Sequence, residues 1–121
     1  MAEPYLERLG AMLRATRPKT SQGVRLQCRH FFSGAALDAN GTICASLTSV
    51  GFAVKLSQES RAALLRERRG TPLRYFEGGP IKKEYVVLSA ATLSEPAAIR
   101  AFLREGIRCA TRGKQSRPTR P

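Results

Sequence analysis

Apolar residues along the chain follow two rhythms, and the switches between them divide it into elements. Between Pro4 and Thr16, Leu6, Leu9 and Leu13 recur at three-to-four spacing with Tyr5 and Met12 beside them, which predicts one buried helix face. Pro18 follows, and residues 17–23 carry no period, so they read as a loop. The rhythm then changes to two. Val24, Leu26, Cys28, His30 and Phe32 alternate with Arg25, Gln27, Arg29 and Phe31, the pattern of a strand with one buried face. Gly34 bends or interrupts it. After Ala35 to Asp38, the Asn40-Gly41 pair tolerates positive φ at both positions and predicts a hairpin turn. Thr42–Leu47 and Val50–Leu56 predict two further strands, turned at Thr48 and Ser49.

Ser57 is placed to cap a helix over Gln58–Arg69, with Glu59 in its first turn, Arg66, Arg68 and Arg69 in its last, and Gly70 as its stop. Pro72–Phe76 and Ile81–Ser89 predict a second hairpin around Glu77, Gly78, Gly79 and Pro80. Ser94 then caps a last helix with Pro96 in the first turn, where its missing N–H does no harm, and with Ile99, Phe102, Leu103 and Ile107 as its stripe. The order is α-β-β-β-α-β-β-α. All strand links but the one through the middle helix are too short for a parallel crossover, so the expected fold is two-layer α+β, a mainly antiparallel five-stranded sheet covered by helices. On the last strand Tyr85 and Val87 face one way and Val86 and Leu88 the other, so the second face carries apolar surface too. An uncovered apolar face favours a partner, and a homodimer is the simplest.

Composition narrows the function class. With 121 residues the chain makes one core, and 42% apolar against 25% charged residues is too hydrophobic for general disorder. Apolar content ends after Ala110, so residues 1–110 are expected to form the single domain and 111–121 a disordered basic tail. No apolar run reaches the ~20 residues of a membrane span, and the acidic start lacks the order of a secretory signal, which points to the cytoplasm and away from a membrane. Cys28, Cys44 and Cys109 are odd in number and widely spaced, so free thiols are expected rather than a disulfide framework or a zinc site.

Twenty-one Lys and Arg against nine Asp and Glu leave a formal charge of +12, which attracts any polyanion without reading its sequence. The candidate phosphate-backbone contacts are Arg61, Arg66, Arg68, Arg69, Arg74, Lys82 and Lys83 around the middle helix and second hairpin, with Arg112, Lys114, Arg117 and Arg120 in the tail. Tyr75 and Phe76 alone lie near them as aromatics, and neither an RNP-like strand nor a helix-turn-helix is visible, so base reading is not indicated.

Catalytic constellations are thin. His30 lies two residues from Cys28 on one strand face, but i and i+2 side chains there stand roughly 6.5–7 Å apart, and no Asn or Asp adjoins to orient the imidazole, so a core or interface histidine is the better reading. Gly78-Gly79-Pro80 with Lys82 and Lys83 lacks the phosphate-loop pattern and reads as a hairpin turn. The nine acids are scattered, which leaves two-carboxylate chemistry without its pair. No cofactor is called for.

Arg29-His30-Phe31-Phe32-Ser33-Gly34, followed by Asp38-Ala39-Asn40-Gly41 and then Phe52-Ala53-Val54-Lys55-Leu56, resembles the TfoX N-terminal domain family. Pro72-Leu73-Arg74-Tyr75 with Ile81-Lys82-Lys83-Glu84-Tyr85 resembles that family's second hairpin, and Leu93 to Ala110 its closing helix, so the likeness spans residues 24–110. Ser33 replaces the first glycine of the family's usual pair, and the proline common after the last strand is absent from Ser89-Ala90-Ala91-Thr92. The resemblance implies a secretion-chaperone-like α+β domain related to regulators of competence for DNA uptake, and it supplies no catalytic residues. The expectation is a non-enzymatic regulatory or adaptor domain acting through protein contacts. The alternative is a nucleic-acid-associated protein that grips phosphates nonspecifically through its basic helix and tail.

Overall fold

A computed structural model describes residues 4–18, 20, 23–31, 34–74 and 78–116, with side chains to residue 112. Helix α1 (Tyr5–Thr16) leads into four successive strands, β1 (Leu26–Phe31), β2 (Gly34–Ala39), β3 (Thr42–Thr48) and β4 (Gly51–Lys55). Helix α2 (Gln58–Arg66), strands β5 (Gly70–Pro72) and β6 (Tyr85–Leu88), the short helix α3 (Ala90–Leu93) and helix α4 (Pro96–Ser116) complete the chain. The sheet has the order β1-β2-β3-β4-β6-β5 with every neighbouring pair antiparallel, so the expected α+β class and strand direction hold.

Among the described residues the sheet has six strands rather than five, because Gly34–Ala39 is a strand in its own right. Its sequence, Gly-Ala-Ala-Leu-Asp-Ala, shows no alternation because every residue is buried between β1 and β3, and small residues carry little strand propensity to betray it. The Asn40-Gly41 turn lies where expected, with φ of 52° and 86°, but it joins β2 to β3.

Element boundaries also move, and the second hairpin pairs Gly70–Pro72 with Tyr85–Leu88 rather than Pro72–Phe76 with Ile81–Ser89. Helix α2 ends not at Arg69 before a Gly70 stop but at Arg66, with Arg68 taking the left-handed conformation at φ 59°. Gly70 instead opens β5, where a Cβ would sit 2.4 Å from Val86 Cγ1. Ser94 does not cap α4; its hydroxyl donates back to the Ala91 carbonyl and closes α3, while Ser89 caps the start of α3. The α4 backbone runs on to Ser116, so it continues past Ala110 through residues 111–116. Phe32, Ser33, Tyr75, Phe76 and Glu77 lie outside the described residues, as do Arg117 and Arg120.

One core lies between the helices and one sheet face. Leu9 of α1 and Ile99, Leu103 and Ile107 of α4 meet Leu37, Leu47, Phe52, Val54, Val86 and Leu88, all buried. Cys44 is the extra residue of a bulge where the β2–β3 register shifts after Leu37. On the opposite face Ala36, Ser46 and Ala53 are fully or almost fully buried as well. There Tyr85, half-buried, donates its hydroxyl to the Ile43 carbonyl at 2.9 Å and carries the Lys55 ammonium 5.4 Å from its ring centre. The second face at β6 is thus partly engaged within the chain rather than left open.

Glu105 ties α4 to the start of α2. Its carboxylate accepts from the Ser57 amide at 3.0 Å, a backbone donor at the helix start with no partner inside the helix, and from the Ser60 hydroxyl at 2.9 Å. Burial on its own would raise this carboxyl, but the bonds from Ser57 and Ser60, with Arg108 nearby, outweigh it and hold Glu105 below its ordinary value. A depressed folded-state value stabilises the fold above the unfolded value of about 4.3, and that contribution is lost as pH falls through the folded value. Glu105→Gln is therefore expected to flatten part of the acid limb of stability against pH. Urea midpoints compared at about pH 7 and pH 3.5 check this, and an unchanged difference between the two would contradict the tie.

Candidate interaction surfaces

The structure does not gather the predicted basic residues at one point. Arg66 and Arg68 are exposed at the C-terminal end of α2. Arg69 beside them is occupied, its guanidinium 3.6 Å from Glu67 and 6.0 Å from the Phe102 ring centre. Arg61 points toward the opposite end of the helix and donates to the Leu56 carbonyl. Lys82 and Lys83 are exposed on that side as well, next to Glu84, whose carbonyl accepts from the Leu56 amide. The Lys55 ammonium, first by a direct hydrogen bond and then by its charge, holds the Glu84 carboxyl below its usual range, and Arg61 adds to the effect. Arg74 is exposed but donates to the Gly79 carbonyl at 2.9 Å, inside its own loop. Arg112 is exposed on α4, Lys114 lies on its helical backbone, and Arg117 and Arg120 are beyond the described residues. The basic candidates around the middle helix therefore fall into two small clusters at the two ends of α2.

The thiols sit in environments that keep them protonated. Burial, then the charge of Asp38, pushes Cys44 up to about 12. Burial also raises Cys28, against the pull of Arg14, and raises Cys109, where Glu105 adds to it. A protonated thiol is a poor nucleophile. His30 shares the helix-side face of β1 with Cys28 but is exposed, which corrects the core half of the core-or-interface expectation. An edge strand has no neighbour on its outer side to cover a side chain near its end. Among the described residues no three His, Cys, Asp or Glu side chains converge as a metal site, and no helix is long and apolar enough to cross a membrane.

The other end of the sheet holds a surface that the charge count did not single out. Strand β1 is an edge strand of six residues with alternately half-buried and exposed positions at its start. Arg29 donates from Nε to Asp38 Oδ2 at 2.8 Å, yet its side chain stays 43% exposed. At the start of the strand the Arg25 amide donates to Asn40 Oδ1 at 2.8 Å, and the Arg25 carbonyl accepts from the Asn40 amide at 2.9 Å. A half-open cleft of about 430 Å³ lies there, lined by Gly23, Arg25, Gln27, Asn40 and Gly41. The signal for this surface was present in the sequence as the alternation of residues 24–32, but alternation marks a strand without saying whether it is central or at an edge.

Comparison with curated proteins finds no match. The model of the TfoX N-terminal domain matches residues 20–110, most of the chain, and with it the β1–β4 meander, the β5–β6 pair and the body of α4. The chain belongs to the TfoX N-terminal domain family.

Proposed function

We propose that the chain is a non-enzymatic regulatory or adaptor domain that acts through protein contacts, in keeping with a family named for competence regulators. The observation that carries this reading is the uneven finish of the core. Among the described residues, the half-buried apolar ones packed against it are Tyr5, Leu6, Met12, Leu13, Val24, Leu26 and Cys28 on α1, on β1 or just before β1, and Leu93 and Phe102 elsewhere. Apolar surface left half-covered at one end of a sheet is what a docking partner buries. Capture from native lysate with and without nuclease tests the reading. Partners that survive nuclease support it, and a bead that returns only nucleic acid overturns it. Light scattering at micromolar concentration separates a second copy of this chain from a different protein as the partner.

The exposed Arg66 and Arg68, in a chain of net charge +12, favour a second reading in which phosphate backbones bind nonspecifically. It expects a duplex DNA shift at low salt, with Arg66→Ala and Arg68→Ala each lowering the log–log salt slope by about 0.9 for every phosphate left without its cation. No shift at low salt refutes it.

A further inference from the structure

The two edges of the sheet are not equivalent. Strand β5 is three residues long and ends in Pro72, which has no N–H to offer, so that edge is blunted. Strand β1 is six residues long without a proline. Antiparallel ladders alternate between residues that bond across the pair and residues that do not. Since Arg25 and Asn40 bond through the backbone, Arg25, Gln27, Arg29 and Phe31 turn their backbone groups toward β2. Leu26, Cys28 and His30 turn theirs outward.

The side chains along this edge sort by face. Leu26, Cys28 and His30 lie on the helix side, flanked by the half-buried apolar residues of α1, while Gln27 and Arg29 lie on the other side. Basic groups line this edge. Arg25, Arg29 and His30 are exposed, Arg14 of α1 acts on the Cys28 thiol, and the Asp38 carboxylate behind the strand is paired with Arg29. A second copy laid against this edge would bring the same cations and another +12 with it. An acidic strand meets no such opposition.

We propose, building on the protein-contact reading above, that the open edge of β1 accepts an extended acidic segment of a partner protein as a seventh strand. Its backbone pairs with Leu26, Cys28 and His30. Its alternate side chains divide, apolar ones packing against Leu26, Cys28 and the flank of α1, acidic ones facing Arg29 and entering the cleft beside Arg25 and Gln27. The partner sequence is thereby specified as a period-two alternation of apolar and acidic residues.

The test uses the full chain and a nine-residue synthetic peptide alternating valine and glutamate, followed by amide chemical shifts and hydrogen exchange at about 1 mM peptide, enough to half-fill a site with a Kd of that size. Slowed exchange at Leu26, Cys28 and His30 is expected. Methylating the peptide nitrogens along one edge should abolish binding, methylating those along the other should not, and Arg25→Glu should weaken it at least about tenfold, equivalent to about 1.4 kcal/mol. Equal binding by a scrambled peptide of the same composition, or shifts centred on Arg66 and Lys82, would reduce the effect to bulk charge and overturn the inference. Protection of β1 without peptide, together with a dimer by light scattering, would assign the edge to a second copy and overturn it too. If the peptide leaves β1 unchanged while nuclease-resistant partners are still captured, the strand-addition site is wrong and the protein-contact reading survives; loss of both removes both.

Discussion

Phe52→Ala is expected to lower the free energy of unfolding by about 3–5 kcal/mol. Phe52 is wholly buried, stands opposite Leu47 across β3 and β4, and lies in the cluster that receives α4. A domain of this size has about 5–15 kcal/mol in total, so the variant keeps its fold with a small margin or loses it. The check is urea unfolding followed by circular dichroism, with the midpoint falling while the slope stays constant. Phe52→Leu, which retains most of the volume, should fall well short of that loss. An alanine variant within about 1 kcal/mol of the parent would mean that the helix layer does not close over β4 as described.

The second large effect concerns Gly106, buried on α4 where the helix crosses the sheet. A Cβ at this position would lie 2.9 Å from Val54 Cγ1 and 3.1 Å from the carbonyl oxygens of Cys44 and Lys55, so two of its three neighbours are backbone and have little room to yield. Glycine inside a helix is worth about 1 kcal/mol less than alanine when nothing else intervenes. Here the close approach reverses that sign. Gly106→Ala should destabilise, and Gly106→Leu should force α4 away from β3 and β4 at a cost of about 1–3 kcal/mol or more. In thermal unfolding each kcal/mol corresponds to roughly 4 °C or more of Tm. A Gly106→Ala variant that melts higher than the parent would show the helix riding further from the sheet.

What can be read from the chain, and what cannot, divides along a physical line. Period-two stretches with one face turned to the helices, such as Leu26–Phe31, announce themselves, as do the Asn40-Gly41 turn and the Ser57 cap. Strand β2 stays hidden because burial on both faces erases alternation, and its alanines carry no other mark. Gly70 resembles a helix stop because glycine serves two ends, the left-handed turn and the close backbone approach, and only three-dimensional neighbours tell them apart. The basic residues are all legible as charges, but Arg61, Arg69 and Arg74 are occupied by Leu56, Glu67 with Phe102, and Gly79, partners that spacing along the chain does not disclose. The β1 edge escapes a reading of the sequence for a related reason, since strand order is a property of the assembled sheet.

The strand order also bears on synthesis. The β1–β4 meander is built from consecutive hairpins and needs no later residue to pair its strands, whereas β6 must reach back past β5 to lie beside β4, and α4 supplies its cover from residue 96 onward. A growing chain that has just emerged through β4 therefore holds a near-complete meander whose greasy side, centred on Phe52 and Val54, still awaits its lid. Domains made from the N-terminus forward are most exposed to aggregation in such intervals. Released fragments ending before Pro96 should accordingly aggregate faster, or bind hydrophobic-surface chaperones more strongly, than the full chain, in which α4 is present.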